Sequence, residues 1–322
     1  MIISRLTGGL GNQMFQYAAG LALAHQHLTV LKLDAGWFSI FHEPGGRRSR
    51  YALHCFNVQE QFATQEEIAW LLGQSGGICE KLAHRVAIAL GMHRLSRVLG
   101  PNAGQLHTQQ SERFYSGFFD QPDNTYLSGT FQSEKFFQPV VEQVRLQFSF
   151  RYCLSPELAD LAREIRETES VSVHFRRGDY VTNARYRKNL GVLPMTYYSD
   201  AVALLRDKLG ADIKLYVFSD DIEEVEKQFV SNCLRVYVRG VRPENAHDEL
   251  RLMALCKHNI IANSTFSWWA AWLNRNTSKI VVAPEPFFQE LGRQGADIVP
   301  ESWIKLPIAS TSPLKAGQVA EP

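Results

Sequence analysis

Two guanidiniums and a carboxylate stand together at Arg176, Arg177 and Asp179, around Gly178, in the stretch "VSVHFRRGDYV". A planar guanidinium forms paired hydrogen bonds to phosphate oxygens and keeps its proton, so it suits an anionic leaving group. A carboxylate next to such a group is placed to take a proton from an incoming hydroxyl. Upstream, Ser170, Ser172 and His174 alternate with Val171, Val173 and Phe175, which reads as a half-buried strand running straight into the charges. Successive strand side chains point to opposite faces. Arg176 therefore continues the parity of His174 and should face a ligand, while Arg177 follows Phe175 and should support the loop. Gly178 permits a sharp turn. Asp179 is then either a general base or a structural partner of Arg177.

The elements that must position these residues recur along the second half. Short stretches rich in β-branched and aromatic residues at 170–175, 213–218, 234–238, 259–262 and 279–283 read as strands. Helix-like segments separate them, such as "MTYYSDAVALLRDKLG", with Tyr198, Val202 and Leu205 near helical spacing and Gly210 at its end. Repeated βα units imply a parallel sheet with helices on both faces, and ligands of such sheets lie at the carboxyl ends of the strands. Those ends carry "HFRRGD", "SDD", "RGVRPENAHD", "NSTFS" and "APEPFF". One carboxylate at Asp248 matches the adjacent N1–H and N2–H₂ donors of guanine. Asp220 and Asp221 are adjacent, so their carboxylates should diverge, and His247, Asp248 and Glu249 lack ligand spacing; no metal site is indicated.

The first half opens in the same way: strand "MIISRL", glycine turn "TGGLGNQ", helix, strand "TVLKLD". The turn lacks the third glycine of a dinucleotide fingerprint, Met14 standing in that place. Gly9 and Gly11 still bring backbone N–H groups and a helix N-terminus near a ligand, and Asn12 and Gln13 either cap that helix or touch the ligand. Beyond residue 35 the pattern loosens. Residues 81–99 form an amphipathic basic helix, read as a surface helix with snorkelling cations or as a contact with an anionic membrane or acceptor lipid. Trp268, Trp269 and Trp272 read as helix core rather than as a sugar platform. The polar tail 309–322 is expected to be disordered.

Composition narrows the class. The 322 residues are 45% apolar and 21% charged, as in a globular protein of two domains. Lys plus Arg number 34 against 33 for Asp plus Glu, so no bulk charge attracts nucleic acid. Cys55, Cys79, Cys153, Cys233 and Cys256 lie far apart without CxxC spacing, which favours a reducing compartment over disulfides or zinc. The N-terminus does not read as a signal peptide, and no run approaches the roughly 18 apolar residues of a membrane span. A cytoplasmic protein is expected, either soluble or peripheral at the inner face of a membrane. The sequons at Asn263 and Asn276 read as coincidental.

Four motifs in order, "GGLGNQMFQYAAG" at 8–20, "HFRRGDY" at 174–180, "FSDD" at 218–221 and "NSTFSWWAAWL" at 263–273, resemble the α-1,2-fucosyltransferases of glycosyltransferase family 11. The resemblance implies an α/β, GT-B-like fold of two Rossmann-like domains facing across a cleft. It implies residues 1–154 on the acceptor side, residues 155–308 binding the donor GDP-L-fucose, and inverting transfer to the 2-hydroxyl of a galactose-containing glycan without a metal or other cofactor. It further implies that Arg176 binds the donor phosphates and that His174, Asp220, Asp248 and Ser264 to Ser267 surround the nucleotide, with Asn263, Ser264 and Thr265 as strand-end donors. Phe175 departs from the smaller aliphatic usual in the central motif and should face the core.

Other readings remain. The donor sugar could join another hydroxyl. A nicotinamide dehydrogenase would use the glycine turn but leaves Arg176 without a role. A carbohydrate-binding or adhesion protein would rest on the Arg177-Gly178-Asp179 triplet, which abuts a core strand.

Overall fold

An apolar four-residue strand, β1 (Ile2–Arg5), leads through the glycine turn into helix α1 (Leu10–Gln26). Thirteen of the 17 residues of α1 are buried, on all its sides. A helix apolar all round needs cover all round. One side of α1 packs on its own sheet; another meets the second half of the chain. The computed structural model describes residues 1–40, 50–73, 105–109, 113–178, 191–210, 212–241, 245–288 and 297–308. Asp179, the basic segment 81–99 and the tail 309–322 lie outside them.

The first sheet adds β2 (Leu31–Asp34), β3 (Gln105–Thr108) and β4 (Thr125–Ser128) in the order β2-β1-β4-β3, all parallel. Neither β3 nor β4 is anticipated by the sequence pattern. The second sheet comprises β5 (Ser170–Phe175), β6 (Lys214–Ser219), β7 (Leu234–Tyr237), β8 (His258–Ile260), β9 (Val281–Glu285) and β10 (Ile304–Pro307). Its order is β10-β9-β8-β5-β6-β7, again parallel. The fold is thus α/β and GT-B-like, with two parallel-sheet units. Helices α2 (Gln65–Leu71) and α3 (Val141–Gln147) belong to the first half. Helix α4 (Pro156–Glu167) leads into β5, and α5 (Met195–Leu209), α6 (Ile222–Gln228), α7 (Ala246–Leu255) and α8 (Thr265–Leu273) follow in the second.

The half-buried reading of β5 is corrected: all six residues are buried. A central strand between β6 and β8 is covered on both faces, so alternation here separates an apolar face from a polar one, both dry. Phe175 does face the core, its ring 3.8 Å from that of Tyr198. Of the described cysteines, Cys55, Cys153, Cys233 and Cys256 are all free. No described helix is long and apolar enough to cross a membrane.

The two units meet where α1 crosses α8. A Cβ on Gly11 would lie 2.6 Å from the carbonyl carbon of Thr265 and 2.8 Å from the nitrogen of Phe266, so the two backbones approach with nothing between them. Trp269 Nε1 donates to the Gly11 carbonyl at 3.0 Å. The ring of Phe15 sits 4.5 Å from Trp268 and 4.8 Å from Trp269. Trp268 and Trp269 are fully buried and Trp272 nearly so, which makes the tryptophans core, as read from the sequence. At its other end α8 is closed by cations: Lys279 Nζ donates to the carbonyls of Ala271 at 2.7 Å and Asn274 at 2.8 Å, and Arg145 of α3 to that of Trp272 at 2.9 Å. Positive charge there satisfies the last carbonyls and complements the helix dipole. Burial, reinforced by the charge of Arg145, lowers the Lys279 ammonium to a pKa of about 8.

The glycine at position 11 is therefore a packing requirement. Gly11→Ala is expected to destabilise the protein by about 1–3 kcal/mol, the range for overpacking. Gly117→Ala, where a Cβ meets nothing nearer than a side-chain atom at 3.5 Å, should change little. Denaturant unfolding of both variants checks this; equal midpoints would contradict it.

Candidate active site

The polar face of β5 points to the site. Ser170 Oγ accepts from the Lys257 backbone N–H at 3.0 Å, and Ser172 Oγ from Asn259 Nδ2 at 2.7 Å. His174, next in the same row, is 3% exposed, and among the described residues its Nδ1 has no hydrogen-bond partner. Buried polar atoms in native proteins are almost always paired, so an exception asks for a ligand. Burial, with Arg176 adding to it and Asp220 opposing it, pushes the imidazole down to a pKa of about 4. The ring is neutral at pH 7.

Asp220 organises the strand end. Its Oδ2 pairs with Arg176 Nη1 at 2.9 Å, while Oδ1 accepts the backbone N–H groups of Arg177 at 2.8 Å and Gly178 at 3.2 Å. A Cβ at Gly178 would fall 2.7 Å from Asp220 Oδ2. Gly178 thus clears space for a carboxylate, and Asp220 holds the arginine loop. Its neighbour Asp221 diverges from it, as expected, and caps α6 by accepting from Glu224 N at 3.4 Å. Arg177 contributes its backbone.

Asp248 lies in the first turn of α7, 9% exposed. Among the described residues its carboxylate meets only His247, whose Nε2 is 3.8 Å away. Its side chain is 13% exposed, so the carboxylate can be reached by donors from outside the protein. Burial lowers the pKa of His247, Asp248 opposes this, and His54, Arg50 and Arg251 act in the same direction as burial.

The other predicted residues are used internally. Ser264 caps α8 through Phe266 N at 3.3 Å, and Ser267 donates to the Ser264 carbonyl at 3.2 Å, 1% exposed. Asn263 Nδ2 donates to Gly191 O at 3.2 Å. Thr265 Oγ1 donates to Asn12 Oδ1 at 3.0 Å. Gln13, fully buried, donates to the carbonyls of Gly8 and Arg50 and accepts from Ala52 N at 2.9 Å. Each of these side chains has a partner inside the protein. Gly9 is the N-cap of α1, with no side-chain cap.

Two residues that sequence reading missed complete the rim. Gln16 Oε1 accepts from Thr7 N at 2.9 Å and its Nε2 donates to Gly129 O at 3.0 Å, tying the turn after β1 to the turn after β4. Gln132 Nε2 donates to Asn12 Oδ1 at 3.0 Å. A glutamine carries no sequence signal of this kind, whether in a helix, as Gln16 of α1, or in a loop, as Gln132, four residues beyond the end of β4. A cavity of about 700 Å³ lined by residues such as Glu134, Lys135, Phe287 and Asp297 includes none of the predicted site residues.

The comparisons agree with the motifs. The model of glycosyl transferase family 11 matches residues 109–306. An alpha-1,2-colitosyltransferase of Escherichia coli is 30% identical over 313 residues, 95% of this chain and 99% of its own. The O-antigen biosynthesis glycosyltransferase WbnK of Escherichia coli is 31% identical over 316 residues, 94% and 99% of the two chains. A galactoside alpha-(1,2)-fucosyltransferase 1 of Saimiri sciureus is 27% identical over 274 residues, 80% of this chain and 74% of its own.

The buried imidazole generates a pH prediction. The folded state holds His174 at a pKa of about 4, below the 6.5 of a free imidazole, so between these values the unfolded chain binds the extra proton. Stability should be full above about pH 6.5 and fall as the pH drops toward 4. His174→Asn should flatten that slope relative to the parent. Unfolding midpoints measured from pH 7 to pH 4.5 test this, and parallel curves for the two proteins would refute it.

Proposed function

The chain belongs to glycosyl transferase family 11, and from that membership we propose that it moves L-fucose from GDP-L-fucose to the 2-hydroxyl of a galactoside, inverting the anomeric carbon. The observation that carries this reading is the end of β5, where a buried imidazole nitrogen without a partner among the described residues stands two residues before a guanidinium fixed by Asp220. The dry carboxylate of Asp248 supports a guanine donor, because it offers two acceptor oxygens to N1–H and N2–H₂.

In a single displacement, negative charge grows on the β-phosphate as the glycosidic bond breaks. Donors already fixed in place stabilise that charge without reorganising. Asp220 fixes Arg176 for this, and its remaining oxygen is committed to the loop backbone. With Asp220 so used and Asp221 capping a helix, the arginine supplies the positive charge and the reaction needs no divalent cation. Asp179, two residues after Arg177, takes the proton of the incoming hydroxyl.

A second donor has support of its own, since the relative that is 30% identical is named as a colitosyltransferase. Colitose is L-fucose without its 3-hydroxyl. A site built to hydrogen-bond that hydroxyl rejects the deoxy sugar strongly, whereas an apolar pocket discriminates weakly. Incubating the protein with GDP-fucose or GDP-colitose, a panel of galactosides and EDTA, and then determining the linkage, decides the matter. Expected are preferred fucose transfer, an α-1,2 bond and full activity in chelator. Preferred colitose transfer, another linkage, or activity restored only by Mn²⁺ or Mg²⁺ would each overturn the corresponding part.

The two carboxylates should fail in opposite ways. Asp248→Asn should weaken GDP by about 1–3 kcal/mol, because the amide turns one acceptor into a donor. Asp179→Asn should bind GDP normally and lose roughly 10²–10⁴-fold in transfer. Calorimetry and initial rates separate them; GDP binding lost in Asp179→Asn, or kept in Asp248→Asn, contradicts the assignment.

A further inference from the structure

Asn12 sits in the first turn of α1, at the joint between the units, and both lone pairs of its Oδ1 are taken. One accepts from Thr265 Oγ1 and the other from Gln132 Nε2, each at 3.0 Å. The opposite end of the amide then has one direction left: Nδ2 lies over Gly8, within 2.8 Å of where a Cβ would stand. Gly8 has φ +73, so the turn there already disfavours a side chain. Thr265 precedes Phe266, whose ring is 5.9 Å from the imidazole of His174, so α8 begins between the Asn12 amide and the end of β5.

The two ends of an asparagine amide are nearly isosteric, and only the partners decide which faces a site. A hydroxyl such as Thr265 Oγ1 serves either end, as donor or as acceptor. Gln132 presents its Nε2, a donor only, and in that orientation it holds the oxygen. A phosphate-bearing donor would be attracted to Nδ2 and repelled by Oδ1.

The chain goes to unusual lengths to place Gln132. Phe131, just before it, has φ +48, a left-handed backbone rare for a bulky residue. That conformation is held from several sides. Gln109 Oε1 accepts the N–H groups of Thr130 at 2.9 Å and Phe131 at 2.8 Å. The Phe131 ring packs 5.6 Å from Phe118 and 5.4 Å from Phe136. Gln132 itself is 4% exposed. Strained backbone persists where its surroundings over-determine it, and an observed outlier of this kind marks a functional constraint.

We propose that Gln132 is a positioning residue for the transfer: by donating to Asn12 Oδ1 it turns Asn12 Nδ2 toward the phosphate and sugar of the donor, without touching the donor itself. The role rests on the GDP-sugar reading given above. Two substitutions separate it from plain packing. Gln132→Met keeps the volume and removes the donor. Gln132→Glu offers an acceptor, invites Asn12 Nδ2, and turns the asparagine oxygen toward the donor.

The test measures GDP affinity by calorimetry, kcat and KM for the GDP-sugar, and thermal unfolding, for the parent, both Gln132 variants, Asn12→Ala, and Asn12→Ala combined with Gln132→Met. Expected is a loss in kcat/KM of roughly 10–10²-fold for Gln132→Met, as for a misplaced group, and a larger one for Gln132→Glu. In the Asn12→Ala background Gln132→Met should cost nothing further, because the residue it acts through is gone. Losses that multiply in the double variant, or a Gln132→Glu protein as active as Gln132→Met, overturn the proposal. If Gln132→Glu does not fold, the cycle through Asn12 decides alone. A parent that binds GDP and turns over while the cycle multiplies sinks only the role of Gln132; a parent that neither binds GDP nor transfers sinks the donor reading with it.

Discussion

Two helices from different halves of the chain touch backbone to backbone at Gly11, and the placement of the active site follows from that contact. Only a residue without a side chain lets α1 come this close to the start of α8. Below the crossing, Phe15, Trp268 and Trp269 fill the space with rings in tilted and edge contacts, and each such aromatic buries on the order of 150–250 Å². Above it, the turn after β1, the turn after β4 and the first residue of α8 are joined through Asn12. The strand ends of both sheets are thereby brought to one place. The joint is apolar on one side and hydrogen-bonded on the other, so rolling the helices would break both kinds of contact together.

Charge is handled locally in the same region. A guanidinium and a carboxylate that are both largely buried are costly unless every remaining oxygen and proton finds a partner. Asp220 meets that condition by spreading over one side chain and two backbone N–H groups, which also shapes the turn that carries Arg176. Gly178 belongs to the same arrangement, since any side chain would displace the carboxylate. In a chain of net charge +1, local charge is made here by one oriented arginine beside an imidazole that burial keeps neutral.

Much of this was legible in the sequence, and the misses have physical causes. The βα repetition of the second half is plain because its strands are dense in β-branched and aromatic residues. β3 and β4 escaped because "QLHT" and "TYLS" are four residues long and mix polar with apolar, so their pairing with β1 decides their conformation. β5 was read as half-exposed since Ser170, Ser172 and His174 alternate, yet that face is covered, and Lys257 and Asn259 satisfy its hydroxyls. At the site, Gln13, Ser264, Ser267 and Asp220 have partners inside the protein that the string does not show. Nothing in a one-dimensional string distinguishes a hydroxyl that caps a helix from one that faces a ligand.

That distinction has a physical criterion, and the row along β5 illustrates it. Its three polar side chains are equally dry, and each would oppose folding if left unpaired. Ser170 and Ser172 are answered by the protein; His174 Nδ1 is not. The difference lies in position, because the first two stand beneath covering elements and the third at the mouth where the sheet ends. Asp248 on α7 is a different case, a largely buried carboxylate with His247 Nε2 at 3.8 Å. Among the described residues the protein carries His174 Nδ1 buried and unpaired, and a buried polar atom left so opposes folding unless something outside the chain answers it.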